Sequence, residues 1–350
     1  MQYRRLGRTD LDVSAICLGT MNFGEQNSEA DAHAQLDRAL TVGVNFIDTA
    51  EIYAVPPRPE TQGLTESYIG SWLKARRNRS KVVLATKVAG RSPMDWLRDD
   101  RATTTLTRAQ ITEALDKSLK RLGTDYVDLY QVHFPDRAVP GFGSNPTIWR
   151  NPEPVPNEVP IEETLMVLAD FVTAGKVRHI GLSNETPWGT MRYIAAADAI
   201  GLGRPQSIQN AYSLVNRTFE AGLAEVALRE QVGLLAYSSL AQGYLTGKYR
   251  DGALPAGARK TLFNRLQRYE KPGAEEAINR YLDLAAEWGL DPSKLALAFA
   301  LTRPFTTSVI IGATTLEQLD TDLGALDVAI PPELEAAIDA IHLWRSNPCP

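Results

Sequence analysis

Residues 81–134 read KVVLATKVAGRSPMDWLRDDRATTTLTRAQITEALDKSLKRLGTDYVDLYQVHF. A β-rich apolar run, Val82 to Thr86, precedes a segment of helical period, Arg108 to Leu122, and a second β-rich run, Val127 to Val132, follows it. That order is one βα unit and the start of the next, and the two runs are followed directly by Lys87 and His133, residue types able to do chemistry. The alternation extends both ways along the chain. Further strands are expected at Ala15 to Leu18, Val44 to Ile47, Val177 to Leu182, Ser207 to Gln209, Leu234 to Tyr237 and Val309 to Ile311. Helices are expected near Glu29 to Val42, Glu66 to Arg76, Ile161 to Ala174, Trp188 to Ala199, Glu220 to Gln231 and Ala274 to Trp288, with a terminal helix over Pro332 to Leu343. Ser28 with Asp31, and Thr107 with Gln110, have the spacing of helix-start capping pairs.

Eight strands separated by helices fit a closed (β/α)8 TIM barrel or an open doubly wound sheet. The chemistry of the strand ends favours the barrel. Nearly every apolar run stops at polar or glycine residues: Gly19-Thr20, Asp48, Lys87, His133, Ser183-Asn184, Gln209-Asn210, Tyr237-Ser238 and Gly312-Ala313. A barrel gathers these ends on one face, whereas an open sheet spreads them along a line.

Composition agrees with an α/β protein of this size. The 350 residues are 44% hydrophobic and 23% charged, enough for a large buried core, so a single barrel domain over residues 1–350 is expected. The formal net charge of -5 offers no footprint for a nucleic-acid backbone or an anionic membrane. Met1 to Asp10 carries Arg4, Arg5 and Arg8 with no apolar run after it, and no stretch reaches the ~18 apolar residues of a membrane span, which predicts a cytoplasmic protein. Cys17 and Cys349, near opposite ends, suggest neither a disulfide framework nor a metal site. A small-molecule partner is expected, and oligomeric state is left open.

Two segments interrupt the βα rhythm. Phe134 to Pro160 holds seven of the 21 prolines together with Gly141 and Gly143, and Lys248 to Lys271 holds seven Lys or Arg against only Asp251 and Glu270. Long loops in these places (residues 134–160 and 243–273) would overhang the mouth of a barrel. The chain lacks G-x-G-x-x-G after its first strand, and it lacks G-x-x-x-x-G-K-S/T, H-E-x-x-H and G-x-S-x-G. Rossmann dehydrogenase, P-loop, zincin and α/β-hydrolase chemistry all lose support.

Asp48, Tyr53, Lys87 and His133 then stand together as a carboxylate, a phenol, an ammonium and an imidazole at three neighbouring strand ends. A lysine buried at a strand terminus needs an opposite charge, and Asp48 supplies one. A phenol beside that ammonium is expected to have its pKa drawn down toward the working range, which makes Tyr53 a general acid. Such an acid suits carbonyl reduction, where negative charge grows on oxygen as hydride reaches carbon. No side chain delivers hydride, so a nicotinamide or flavin is implied. Ser183, Asn184 and Gln209 are suited to a carboxamide, and Tyr237 to a flat ring.

At these residues the sequence resembles the aldo-keto reductase superfamily, most closely its bacterial Tas-type NADP(H)-dependent branch. The resemblance rests on GRTDLDVSAICLGTMNFG, FIDTAEIYAVPPRPETQGLTE, ATKVAG, LKRLGTDYVDLYQVHFPDR, AGKVRHIGLSNET, IQNAYSLVNR, LAYSSLAQGYLTGKY and IIGATTLEQL, in order and almost end to end. It implies a (β/α)8 barrel closed at its bottom by an N-terminal β-hairpin, and NADPH/NADP+ as cofactor. It places the catalytic tetrad on Asp48, Tyr53, Lys87 and His133, with Tyr53 as proton donor. It further assigns Thr20 and Met21 to the cofactor near the ring, Ser183, Asn184 and Gln209 to the carboxamide, and Tyr237 to stacking. Ser238, Leu240, Gly243, Thr246, Gly247 and Lys248 resemble the loop over the pyrophosphate, and Gly312, Ala313, Thr314 and Gln318 the adenosine-phosphate site. Asp322 departs from the family's usual Asn, which removes a donor near adenine and adds charge near phosphate. Arg259 and Arg265 are expected to clamp a 2′-phosphate, which selects NADP over NAD.

Phe23, Phe134 and Trp188, with Trp149 as an addition, are expected to line an apolar opening for an aldehyde or ketone. Two other readings compete. One is a cofactor-binding regulatory subunit of poor turnover, like the potassium-channel β subunits that share this barrel; the complete tetrad and the short stretch before the first strand favour catalysis. The other is a lyase or isomerase that uses Lys87 as a Schiff base.

Overall fold

Eight parallel strands close on themselves in the computed structural model, which describes residues 1–140, 148, 153, 155–265 and 267–350. The chain begins with an antiparallel hairpin, β1 (Tyr3–Arg5) and β2 (Asp12–Ser14). The barrel strands are β3 (Ile16–Gly19), β4 (Phe46–Asp48), β5 (Val83–Val88), β6 (Val127–Val132), β7 (Val177–Ser183), β8 (Ser207–Ala211), β9 (Gly233–Tyr237) and β10 (Thr306–Ile311). They pair in sequence order, and β10 pairs with both β9 and β3 to seal the ring. All eight expected strands are present, displaced by up to three residues at their ends.

The hairpin plugs the bottom of the barrel. Its Leu6 and Val13, both fully buried, pack with the inward residues Cys17, Phe46, Val83, Ala85, Leu129 and Leu235. Each large apolar side chain so buried contributes roughly 1.5–3 kcal/mol. Arg4 ties the hairpin on by donating to the carbonyls of Thr306 and Leu301, both at 2.7 Å.

Around the ring lie α1 (Glu29–Thr41), α2 (Leu64–Arg76), α3 (Arg108–Leu122), α4 (Ile161–Thr173), α5 (Pro187–Ile200), α6 (Leu223–Glu230), α7 (Arg259–Phe263), α8 (Ala274–Glu287), α9 (Pro292–Thr302), α10 (Leu316–Leu323) and α11 (Pro332–Trp344). The main core fills the space between strands and helices. Close approach of α2 to α3 explains Gly70: a Cβ there would stand 2.2 Å from the Arg121 carbonyl oxygen. Among the described residues no helix is long and apolar enough to cross a membrane.

Several local expectations are met and several corrected. Ser28 and Asp31 form a complete capping box at α1 despite the Asp. Thr107 makes no side-chain cap at α3; Gln110 reaches further back and accepts from the Thr105 N–H at 2.8 Å. The helix expected over Glu220 to Gln231 begins as a 3-10 turn at Thr218–Ala221 and starts again after Gly222. Helix α9 was not anticipated: nearly every residue of it is buried, so it has no polar face for periodicity to reveal, although Asp291 caps it and Pro292 opens it. The basic segment after Lys248, read as loop, contains the short α7.

Candidate active site

Lys87, next to last in β5, has a side chain wholly out of water, and its Nζ donates to Asp48 Oδ2 at 2.6 Å, the Thr49 carbonyl at 2.7 Å and Tyr53 Oη at 3.4 Å. Three partners use all three ammonium protons, which is what makes such burial tolerable. The other oxygen of Asp48 accepts from Gln209 Nε2 at 2.8 Å and Gln131 Nε2 at 3.1 Å. Tyr53 lies in the loop after β4, where its carbonyl accepts from the Gly63 N–H at 2.7 Å. The His133 ring stands edge-on to it with ring centres 5.7 Å apart. The four residues expected to form a tetrad are therefore one contiguous group.

Electrostatics correct one expectation. Burial is the largest influence on Tyr53 and holds its phenol above the usual value; Lys87 pulls it down, and Asp48 pushes it up again. The ammonium by itself would draw the phenol down, but desolvation of the phenolate opposes it and is the larger effect. For Lys87, burial is the largest influence and disfavours the charge, yet Asp48 and Tyr53 together outweigh it and leave the ammonium above its ordinary value. Burial, with help from Lys87, holds His133 well below the usual imidazole range, so it is neutral. The His133 Nδ1 is buried without a hydrogen-bond partner among the described residues.

Next to this group Asn184 Nδ2 donates to the His133 carbonyl at 2.8 Å, and its Oδ1 accepts from Tyr237 Oη at 2.6 Å. Ser183 Oγ donates to the Gln209 carbonyl at 2.9 Å. A cavity of about 1750 Å3 opens here, larger than an ordinary small-molecule pocket. Asp48, Tyr53, His133, Thr20, Met21, Ser183, Asn184, Gln209 and Tyr237 line one end. Ser238, Leu240, Gly243, Thr246, Lys248, Arg259, Arg265, Gly312, Thr314, Gln318 and Asp322 line another part. Gly243 has φ +102, and a Cβ on it would stand 2.5 Å from the Lys248 side chain, so this loop requires glycine there.

Lys248, Arg259 and Arg265 face this end with no carboxylate at ion-pair distance among the described residues. Arg259 donates to Asn22 Oδ1 at 2.6 Å. Burial lowers the pKa of both Lys248 and Arg259; Arg259 adds to the effect on Lys248, where Asp322 opposes it, and Arg265 adds to the effect on Arg259. Burial also pushes Asp322 up to about 7, with Asp291 adding to the effect and Lys248 opposing it.

Four expected site residues are elsewhere. Phe23 is 1% exposed and belongs to the main core, because its chain turns inward where Thr65 bonds its carbonyl. Trp188 is 63% exposed at the start of α5, beneath the Arg137 guanidinium and outside the lining. Gly247 and Ala313 also fall outside the lining; Ala313 is buried in the main core. Phe134 does line the cavity, together with Pro135, Val139 and Val155 from the proline-rich segment. Trp149, Gly141 and Gly143 lie outside the described residues.

Sequence reasoning missed Gln131, Asn22 and Arg268. Gln131 was findable, since it precedes His133 by two on β6 and so faces the same side of the strand. Asn22 meets Arg259 across 237 positions, and Arg268 bonds the distant Tyr237, pairings with no local signal.

A sequence profile of the Aldo/keto reductase family matches residues 15–342. Protein tas of Escherichia coli (strain K12) is 51% identical over 352 aligned residues, covering 100% of both chains. The uncharacterized oxidoreductase YrpG of Bacillus subtilis (strain 168) is 36% identical, with 95% of this chain and 94% of that one aligned. A probable voltage-gated potassium channel subunit beta of Oryza sativa subsp. japonica is 31% identical, with 97% and 96% aligned.

Proposed function

The chain belongs to the aldo/keto reductase family and is an oxidoreductase, and from that premise we propose that it reduces aldehyde or ketone carbonyls to alcohols with NADPH, using Tyr53 as general acid. The observation that carries this reading is Lys87 Nζ bonded at once to Asp48 and Tyr53, with His133 against the phenol, on the wall of a cavity whose other end collects cations. When bound, the nicotinamide supplies hydride to the carbonyl carbon. Tyr53, kept protonated by burial, donates its proton to the carbonyl oxygen. Neutral His133 presents a ring N–H to the same oxygen and fixes its direction. As Tyr53 loses its proton, Lys87 is already charged and in contact, so the new phenolate is stabilised without rearrangement. Asp48, bonded by both glutamines, keeps Lys87 in place.

The residues fit such a cofactor. Ser183, Asn184 and Gln209 present amide and hydroxyl groups to a carboxamide, beside the Tyr237 ring. The uncompensated Lys248, Arg259 and Arg265 suit phosphates, and a cluster of three favours the nucleotide with the additional 2′-phosphate. Ile52, Met94, Phe134, Val139 and Val155 offer apolar wall to a carbonyl compound without selecting one, so broad substrate tolerance follows. The same reading has the whole chain acting as one barrel domain in the cytoplasm.

A screen of NADPH oxidation by the purified protein across aldehydes, ketones and dicarbonyls tests the proposal. Turnover with at least one class is expected. Tight NADPH binding with no turnover on any class would instead favour the regulatory-subunit reading. Schiff-base chemistry is disfavoured, because Lys87 is held charged and has no face on the cavity.

A further inference from the structure

Glu51 follows Asp48 by three residues and precedes Tyr53 by two, yet nothing in the chemistry above uses it. Its carboxylate accepts from both ends of the Arg98 guanidinium, Nη1 to Oε2 at 2.8 Å and Nη2 to Oε1 at 3.0 Å, with side chains 0% and 1% exposed. Glu51 Oε1 also accepts from the Ala89 N–H at 2.7 Å. Its backbone N–H donates to the Lys87 carbonyl at 3.2 Å, and its carbonyl accepts from Gln62 Nε2 at 2.7 Å. One residue thus fastens the Tyr53 loop to the end of β5, at the Lys87 carbonyl and at the Ala89 N–H.

The setting is apolar. Ala50, Ile52, Ala89 and Leu97 form a small buried cluster against which Tyr53, Met94, Trp96 and Phe134 pack. Each of the four core members is a chain neighbour or a hydrogen-bonded partner of the ion pair. A buried pair is a poor source of net stability, because desolvation offsets its Coulomb energy. What a two-pronged guanidinium–carboxylate contact does supply is orientation, since both bonds form only in one relative geometry. Orientation is what this loop needs: Tyr53 Oη meets Lys87 Nζ at 3.4 Å, near the limit of a hydrogen bond, so a small drift of the loop separates them.

We infer that Glu51 and Arg98 are positioning residues that hold the Tyr53 phenol against Lys87 and His133. The kinetic consequence rests on the carbonyl-reductase reading; the placement of Tyr53 does not. Three variants test it: Arg98→Lys, which keeps the charge and loses the fork, Arg98→Met, and Glu51→Gln with Arg98→Met, which removes both charges and leaves none buried alone. In each, thermal midpoint, NADPH affinity by fluorescence quenching, kcat and KM for a carbonyl found in the screen, and the 13Cζ resonance of Tyr53 at neutral pH are measured, with Tyr53→Phe assigning the resonance. The expected result in the double variant is a folded protein whose kcat falls about 10- to 100-fold, the scale of a misplacement near 1 Å. NADPH affinity and KM should stay near the parent, the Tyr53 resonance should move toward its value in Lys87→Met, and Arg98→Lys should fall between. A folded double variant, or a folded Arg98→Lys should the double variant not fold, with parental kcat and an unmoved Tyr53 resonance would overturn the inference. Should the parent turn over no carbonyl at all, the reductase reading fails, and the resonance alone still decides the positioning.

Discussion

The two ends of the cavity solve the problem of buried charge in opposite ways. Around Asp48, Lys87 and Tyr53 the chain supplies every counter-charge itself: each ammonium proton has an acceptor, and Asp48 takes three side-chain bonds. Around Lys248, Arg259 and Arg265 it supplies cations, and burial lowers the pKa of the first two. The first end is organised before any ligand arrives. On the reading proposed above, the second is completed by an anion from outside.

Four experiments break or sharpen that contrast. Tyr53→Phe removes the acid while leaving the cationic end intact, so kcat should fall by a factor of roughly 10²–10⁴ with NADPH quenching retained; undiminished turnover would remove the mechanism. Lys87→Met leaves Asp48 buried and unpaired, a loss of about 3–5 kcal/mol in urea unfolding, and adding Asp48→Asn should restore much of it. A double variant as unstable as the single one would mean that the pair is not what the charge balance describes. Arg259→Ala and Arg265→Ala should each weaken NADPH roughly tenfold or more beyond any change for NADH, the scale of one charge-assisted hydrogen bond, and more so at low salt. Equal losses for both nucleotides would refute the clamp.

The smallest effect concerns Asp322. Its folded value of about 7 lies above the ordinary carboxylate value because of burial first and Asp291 second. A group raised in this way contributes its stability in full below the unfolded pKa of about 4 and loses it as pH climbs through the folded value. Asp322→Asn should therefore gain on the parent between pH 5 and pH 8, by on the order of 1 kcal/mol for each unit climbed up to about pH 7. A thermal-midpoint difference that does not change between the two pH values would show that Asp322 does not titrate in this range.

Much of the site was legible because strand ends in a parallel barrel share one rim. Lys87 and His133 were recognisable from two residue types at the ends of neighbouring apolar runs, and the structure brings them to one group with Asp48 and Tyr53. Phe23 and Trp188 misled for a related reason: both are aromatic residues just beyond strand ends, but one turns into the core and the other out to solvent. Sequence position limits how far a side chain is from the rim and says nothing about which way its loop turns. Helix α9 escaped because a helix buried all round has no amphipathic period.

The number and order of the strands, the alternation with helices and the identity of the titratable residues at the rim are local properties, set by side-chain period and by which residues a strand can end on. Which phenol touches which ammonium, and whether burial or attraction governs its proton, belong to the folded chain alone. Desolvation depends on every atom packed around a group, and those atoms come from all parts of the sequence. The Glu51–Arg98 pair, joined across 47 positions, and the contact between Asn22 and Arg259 are of that second kind.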